Sequence, residues 1–225
     1  MAASGLDPST IFPFPLDDFQ LEAIDALDQG HSVVVSAPTG SGKTLVGEYA
    51  IHRALAHGQK VFYTTPLKAL SNQKLRDFRE AYGDDNVGLM TGDLSVNREA
   101  SIVVMTTEIF RNMLYAEASE HDDPLADVEA VVLDECHYMN DSQRGTVWEE
   151  SIIHCPPSVQ LVALSATVAN AGQLTDWIEK VHGPTTLVLS DYRPVPLQFS
   201  FCSAKGLHPL LNDAGTGLHP NCKVW

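Results

Sequence analysis

Residues 37–44 have the sequence APTGSGKT, and this stretch decides the fold. It follows an apolar segment, residues 31–37 (HSVVVSA), and opens a segment with helical character, residues 42–57. Glycines allow a backbone to approach phosphate groups closely, and the N-terminus of the next helix attracts anions. A strand, a glycine-rich loop, Lys-Thr and a helix in this order predict a phosphate-binding loop, with a chance Gly/Ser turn as the alternative.

The residue types in this loop indicate distinct tasks. We expect the ammonium group of Lys43 to neutralise the β- and γ-phosphates of a nucleotide and the hydroxyl of Thr44 to hold Mg²⁺. The loop departs from the common pattern GxxxxGK[ST] at one position, because Ala37 stands where the pattern has glycine. The loop residues predicted to bind the nucleotide are Pro38, Thr39, Gly40, Ser41, Gly42, Lys43 and Thr44.

Short β-branched segments alternate with longer helical ones on both sides of this loop. The predicted strands are residues 31–37, 60–65, 87–91, 102–106, 130–134, 160–165 and 186–190. The predicted helices are residues 18–29, 42–57, 67–82, 108–116, 144–154 and 170–181. This alternation predicts an α/β fold with a mainly parallel sheet and helices on both faces. Ligands of such sheets bind beyond the C-terminal ends of the strands.

Two adjacent carboxylates stand at the end of the predicted strand 130–134, in the sequence DECH. We expect Asp134 to hold Mg²⁺ through water and Glu135 to position and deprotonate an attacking water molecule. The alternative is an ordinary solvated strand end. Cys136 lies beside this pair, and a small buried thiol is the favoured interpretation because nothing nearby in the sequence indicates a base for it.

Composition limits the classes of function. The chain has 225 residues and a formal net charge of −15, from 14 Lys and Arg against 29 Asp and Glu. No apolar run approaches the ~20 residues of a membrane helix. The first Lys or Arg is Lys43, so we expect neither a positively charged signal nor an Arg-rich transit peptide. Four cysteines without a zinc pattern favour a reducing, cytoplasmic location. Because the chain is acidic, any contacts with nucleic acid must be local.

Together these segments resemble a superfamily-two DExH-box helicase. The two anchors are APTGSGKT and DECH, and the other segments follow in the order of that family. They are FPLDDFQ (14–20), TPLKALSNQK (65–74), TGD (91–93), TTE (106–108) and SAT (165–167). Within the superfamily the sequence is most similar to superkiller-like RNA helicases, and VVLDECHYMND and RGTVWEE resemble their bacterial and chloroplast branch.

The resemblance implies a RecA-like P-loop fold that binds ATP and Mg²⁺ and, in a complete family member, couples ATP hydrolysis to RNA unwinding. It makes Lys43, Asp134 and Glu135 catalytic, Thr44 and Asp134 metal ligands, and Phe14 and Gln20 the residues that recognise adenine. The residues it implies for sequence-independent contact with single-stranded RNA are Pro66, Lys68, Asn72, Gln73, Thr91, Gly92, Thr106 and Thr107. The residues it implies for coupling hydrolysis to strand movement are His137, Ser165, Ala166 and Thr167. Lys74 lies near the same helix start, and a solvated helix face stays open as an alternative for Lys68 and Lys74, as does a packed side chain for His137.

We predict three parts in the chain. They are an N-terminal lead with the adenine-recognition segment (1–30), the ATP-binding RecA-like domain (31–192) and an incomplete connection toward a missing second RecA-like domain (193–225), with a further strand at residues 197–201. The sequence contains no QxxGRAGR-like segment, which carries the family's arginine finger. We therefore expect this chain, favoured as a monomer, to hydrolyse ATP weakly or not at all. Two alternatives stay open: a DNA helicase of the same superfamily, and a non-catalytic nucleotide-binding module if 225 residues is the natural length.

Overall fold

The computed structural model describes residues 6–116, 124–140, 145–203, 206–212 and 217–219. Parts of three predicted segments lie outside the described residues: residues 1–5 of the N-terminal lead, Arg144 at the predicted start of a helix, and residues 220–225 of the C-terminal connection.

Strands in the described residues form a large sheet and a separate pair. The large sheet contains β1 (Ser32–Ser36), β2 (Lys60–Thr65), β3 (Val87–Met90), β4 (Ser95–Val96), β5 (Ile102–Thr106), β6 (Val128–Leu133), β7 (Gln160–Ser165) and β8 (Thr185–Leu189). Its order is β4-β3-β5-β2-β6-β7-β1-β8, and every neighbouring pair is parallel except β3 with β4. The second pair joins β9 (Ser200–Ser203) and β10 (Gly206–Pro209) in antiparallel register.

Helices cover both faces of the large sheet. They are α1 (Pro8–Ile11), α2 (Asp18–Asp28), α3 (Thr44–His57), α4 (Lys68–Tyr82), α5 (Thr107–Ala116), α6 (Gly145–His154) and α7 (Ala171–Val181), with 3₁₀ turns at Asp84–Asn86 and Cys136–Asn140. One hydrophobic core contains side chains of α2, α3 and α4, and the other contains side chains of α5, α6 and α7. Successive strand residues enter opposite cores, as Val33 and Val34 do, because side chains alternate along a strand. No helix of the described residues is both long enough and apolar enough to cross a membrane.

The predicted α/β fold is confirmed, and the seven strands and six helices predicted for this sheet occur within two residues of their predicted bounds. The prediction missed α1, β4, β10 and the two 3₁₀ turns. The strand predicted at residues 197–201 was wrong in its bounds, since β9 begins at Ser200. Its register depends on pairing with β10, and that pairing is not visible in the local pattern of residues 197–201.

The chain divides into two compact units, one ending at Tyr192 and one beginning at Arg193. The N-terminal segment belongs to the first unit, because Phe12 and Phe19 are buried in the same core as α3. The predicted division between residues 30 and 31 therefore falls inside one compact unit, and the three-part organisation stays a prediction.

Candidate active site

The glycine-rich loop connects β1 to α3 at the C-terminal edge of the sheet. Gly40 and Gly42 have φ angles of +83° and +85°, in the left-handed region that residues with a Cβ rarely adopt. The N–H of Ala37 donates to the carbonyl of Ser165 at 3.2 Å, which fixes the start of the loop to the end of β7. The sequence therefore places glycine where the backbone must turn, and α3 begins directly after the turn.

Gln20 of α2 holds the far side of the loop. Its Nε2 donates to the carbonyl of Gly42 at 3.0 Å, and its Oε1 accepts from the N–H of Asp17 at 2.9 Å. Both ends of the amide are thus engaged within the protein, and a Cβ on Gly42 would lie 2.9 Å from Nε2. Phe14, the other residue predicted to recognise adenine, is 53% exposed and its ring centroid lies 6.0 Å from that of Phe12. Neither Gln20 nor Phe14 lines the cavity described next, and their contact with adenine stays a prediction.

A cavity of about 470 Å³ lies between the loop, the end of β6 and one side of α4. Its volume falls within the usual range for ligand pockets. The residues that line it are Thr39, Gly40, Gly42, Lys43, Thr44, Leu70, Gln73, Lys74, Asp134 and Glu135. Seven of these ten are residues that the sequence predicts for nucleotide binding, metal binding or catalysis, and the structure brings them to one place.

The loop fits a phosphate group. The hydroxyl oxygen of Ser41 is buried and has no hydrogen-bond partner among the residues that the structure describes. Lys43 is only 6% exposed, and no ion pair of the described residues includes it. A buried donor and a buried cation without partners are costly, and an anion in the cavity satisfies both.

Asp134 is fixed at the other side of the cavity. It is 8% exposed, its Oδ2 accepts from the hydroxyl of Tyr63 at 2.8 Å, and its Oδ1 accepts from the N–H of Glu135 at 2.9 Å. Burial and the nearby Asp134 charge raise the pKa of Tyr63 well above its usual value, so the phenol stays a donor. Sequence analysis missed Tyr63, because an aromatic residue in an apolar strand indicates only a core position.

Thr44 and Asp134 both line the cavity, as a shared metal ion requires. In the described part of the chain, no group of three or more His, Cys, Asp or Glu residues is arranged to hold a metal ion. This donor set suits Mg²⁺, which is usually bound by one or two protein ligands together with phosphate oxygens and water. The residues present therefore fit a nucleotide-bound Mg²⁺ and do not form a closed metal site.

Glu135 and the residues after it leave the strand in an unusual conformation. Glu135 has a φ of +55°, which costs about 1–2 kcal/mol for a residue with a side chain. Strain of this kind is often retained at functional sites, where it directs a side chain. Cys136 is 1% exposed, so the prediction of a small, buried thiol is confirmed, and burial raises the pKa of this thiol to about 12.

His137 joins the DECH and SAT segments. Its Nδ1 lies 3.3 Å from Oε2 of Glu135 and accepts from the N–H of Ala166 at 3.3 Å. When the ring proton is on Nε2, Nδ1 can accept the hydrogen bond from the N–H of Ala166. When a proton is on Nδ1, this nitrogen can instead donate to Glu135. Ser165 is buried and donates to the carbonyl of Ala166 at 2.8 Å, while Thr167 is exposed. The structure thus brings three of the four predicted coupling residues together.

The residues predicted for RNA contact separate into two groups. Lys68 and Asn72 are exposed on α4, one turn apart, and Lys68 forms an ion pair with Asp93 beside Gly92. This places the segments 65–74 and 91–93 next to each other at the surface, although they are distant in sequence. Thr91 is half-buried, with its hydroxyl 3.4 Å from the carbonyl of Leu94.

The second group is buried or lines the cavity. Pro66, Thr106 and Thr107 are buried, and they directly follow or end β2 and β5 in the middle of the sheet. The hydroxyl of Thr107 donates to the carbonyl of Thr65 at 3.2 Å. Gln73 is exposed next to Asn72 on α4 and also lines the cavity of the phosphate loop. The contact of these four residues with RNA stays a prediction.

The fold and the site define a class of protein. A mainly parallel sheet with a phosphate loop after β1 and an acidic pair after β6 is the architecture of a RecA-like P-loop domain. The sequence profile described as "DEAD/DEAH box helicase" matches residues 17–174, and the chain belongs to this family.

Similar proteins agree with this assignment. The chain is 55% identical over 212 residues to the DExH-box ATP-dependent RNA helicase DExH15, chloroplastic, of Arabidopsis thaliana, covering 93% of this chain and 18% of that protein. It is 57% identical over 185 residues to the probable helicase HelY of Mycobacterium tuberculosis, covering 82% of this chain and 20% of that protein. The structure of Mycobacterium smegmatis helicase Lhr bound to ssDNA and AMP-PNP is similar with a TM-score of 0.64 and 28% identity, covering 85% of this chain and 27% of that one. The chain thus spans about a fifth of the length of the curated relatives it matches.

Proposed function

We propose that this chain binds ATP with Mg²⁺ and is the ATP-binding half of an ATP-dependent RNA helicase. The observation that carries the proposal is a single cavity in which Lys43, unpaired among the described residues, faces Asp134 and Glu135. A buried cation opposite two adjacent carboxylates matches a substrate that brings both phosphate charge and a divalent metal ion.

Each group has a defined task in phosphoryl transfer to water. Lys43 and the loop N–H groups hold the phosphates, and Thr44 and Asp134 hold Mg²⁺, which supplies positive charge at the phosphate oxygens when it is bound. Tyr63 keeps one oxygen of Asp134 occupied and so fixes the direction of that carboxylate. Glu135, at the lip of the cavity, accepts a proton from the attacking water.

Three residues at the surface support binding of a nucleic acid strand through its backbone. Lys68, Asn72 and Gly92 are exposed, and Lys68 and Gly92 are adjacent at the N-terminal end of α4, where N–H groups favour phosphate. Because the net charge of the chain is −15, it can hold only a few phosphates. We therefore expect the decrease of the binding constant with salt concentration to correspond to no more than about four phosphate contacts.

RNA is favoured over DNA because the Arabidopsis relative at 55% identity is named an RNA helicase. DNA stays the second candidate, because the similar Lhr structure is described as bound to ssDNA. The 2′-hydroxyl is the physical difference that a binding site can sense. Fluorescence anisotropy with ribo- and deoxyribo-oligonucleotides of one sequence, on the wild-type chain and on Lys68→Met, decides between them. RNA is supported if the wild-type chain binds the ribo-oligonucleotide more tightly and Lys68→Met weakens this binding. DNA is supported if the wild-type chain binds the deoxyribo-oligonucleotide more tightly.

Hydrolysis by the chain alone is expected to be slow. In this family an arginine from a second RecA-like domain completes the site, and such an arginine contributes about 10³–10⁵ in rate. We therefore propose that turnover, unwinding and any cytoplasmic role belong to a longer protein. A single-turnover assay, with protein in excess over labelled ATP, detects the residual rate.

The assay tests Glu135 directly. Glu135→Gln keeps the size of the side chain and removes the base, so we expect unchanged ATP binding and no product. Glu99→Gln is the matched control. Glu99 is exposed, does not line the cavity, and forms an ion pair with Lys60 at 3.1 Å. Product formation by Glu135→Gln at the wild-type rate would overturn the base assignment. Tight ATP binding by the wild-type chain with no product, unaffected by RNA, would favour a non-catalytic nucleotide-binding module.

A further inference from the structure

Helix α4 has two functional sides. Lys68 and Asn72 are exposed at the surface where we place the nucleic acid strand. Leu70, Gln73 and Lys74 line the cavity of the phosphate loop. Their spacing of three and four residues puts these three side chains on one face of a helix. The same helix therefore carries one lysine toward each of the two ligands.

Lys74 is held above two aromatic rings. Its Nζ lies 5.2 Å from the ring centroid of Tyr63 and 5.6 Å from that of Phe78, within the range of a cation–π interaction. The two rings pack edge to face, with centroids 5.0 Å apart. Both are buried, so the position of the ammonium group is fixed by the core.

The charge of Lys74 is incompletely neutralised by the protein. No ion pair within 4.0 Å among the described residues includes it. The carboxyl group of Glu48 is close enough for the charge of Lys74 to lower its pKa, although burial raises that pKa by more. Lys74 lines the cavity, whereas Glu48 does not.

We propose that Lys74 is a second phosphate-binding cation of the nucleotide site, acting beside Lys43. The ring beneath it belongs to Tyr63, whose hydroxyl donates to Asp134, so Lys74 approaches the cavity at the Asp134 end. That end is where the terminal phosphate and the metal ion meet in the proposed function, on which this inference rests. Lys74 therefore contributes more to binding of ATP than of ADP. The aromatic rings hold the ammonium in place before the nucleotide arrives, which reduces the entropy lost on binding.

The test is a titration of the chain with fluorescent N-methylanthraniloyl ATP and ADP. Lys74→Met keeps the apolar stem over the rings and removes the charge. Because charge-assisted hydrogen bonds are the strong ones, we expect the Kd for ATP to rise about tenfold or more, and the Kd for ADP to rise less. Lys74→Arg, which restores the charge, recovers most of the affinity. Arg76→Met, at an exposed position of α4 that does not line the cavity, leaves both constants within twofold of wild type.

Tyr63→Phe distinguishes the effect of the Lys74 charge from the effect of the hydrogen bond that Tyr63 donates to Asp134. This variant keeps the ring and removes the hydroxyl that donates to Asp134. In EDTA, where Asp134 has no metal ion to hold, Tyr63→Phe loses less ATP affinity than Lys74→Met does. ATP binding by Lys74→Met within twofold of wild type would overturn the inference and leave the proposed function intact. A wild-type chain that binds neither nucleotide would overturn the proposed function and the inference with it.

Discussion

Among substitutions that add one methyl group to the phosphate loop, Gly42→Ala should lower the affinity for ATP most. Gly42 has a φ of +85°, and a left-handed residue with a Cβ costs about 1–2 kcal/mol. The new Cβ would also lie 2.9 Å from Nε2 of Gln20 and displace its hydrogen bond to Gly42, worth about 0.5–1.5 kcal/mol. The sum, about 1.5–3.5 kcal/mol, corresponds to a roughly 10- to 400-fold rise in the Kd for ATP.

Two other glycines provide matched controls. Gly40 has a φ of +83° with nothing within 4 Å of an added Cβ, so Gly40→Ala tests backbone strain alone and should weaken binding about 5- to 30-fold. Gly58, at the C-terminus of α3, has a φ of +71° and the same open surroundings, so Gly58→Ala should lower stability and leave the Kd unchanged. Isothermal titration calorimetry measures each Kd, and urea unfolding measures each stability. Equal effects of Gly42→Ala and Gly40→Ala would refute the argument from Gln20, and weakened binding in Gly58→Ala would refute the loop-specific argument.

Two further predictions concern histidines. Burial lowers the pKa of His182 from 6.5 in the folded chain, although carbonyl acceptors lie at both ring nitrogens. As the pH falls, His182 therefore binds a proton at a higher pH in the unfolded chain than in the folded chain. Stability should therefore decrease below about pH 6.5, less steeply in His182→Gln; identical pH profiles from urea unfolding would contradict this. His137→Ala removes the acceptor for the N–H of Ala166, and in a protein that includes the second domain it should preserve ATP affinity and reduce RNA-stimulated turnover. Full RNA stimulation in a steady-state ATPase assay would exclude a coupling role.

Much of the fold was predictable because its signals are local. Apolar β-branched segments, helical periodicity and the glycine turn each occupy a short window, and the loop with Lys43 and the acidic pair at Asp134 follow strand ends that the sequence marks clearly. The two-residue strand β4 carries no such signal, and its antiparallel pairing with β3 is set by the turn between them.

The missed parts of the site depend on contacts between distant segments. Tyr63 and Asp134 are 71 residues apart in sequence. They come into contact because β2 and β6 are neighbours in the sheet. Thr106 and Thr107 are buried at the end of β5, which lies between β3 and β2, and their contact with RNA stays a prediction. That Gln73 and Lys74 line the phosphate-loop cavity depends on where α4 packs, which the sequence of the helix does not indicate.

Calorimetric titration of the chain with ATP and Mg²⁺, for wild type and Lys43→Met, tests the central claim most directly. Lys43 is buried and no ion pair among the described residues includes it, so Lys43→Met removes a charge without breaking an ion pair of these residues and should not lower stability. The account predicts saturable binding of one ATP to the wild-type chain and a Kd at least tenfold higher for the variant, at equal stability. Equal affinity in the two proteins, or no saturable binding by wild type, would contradict it.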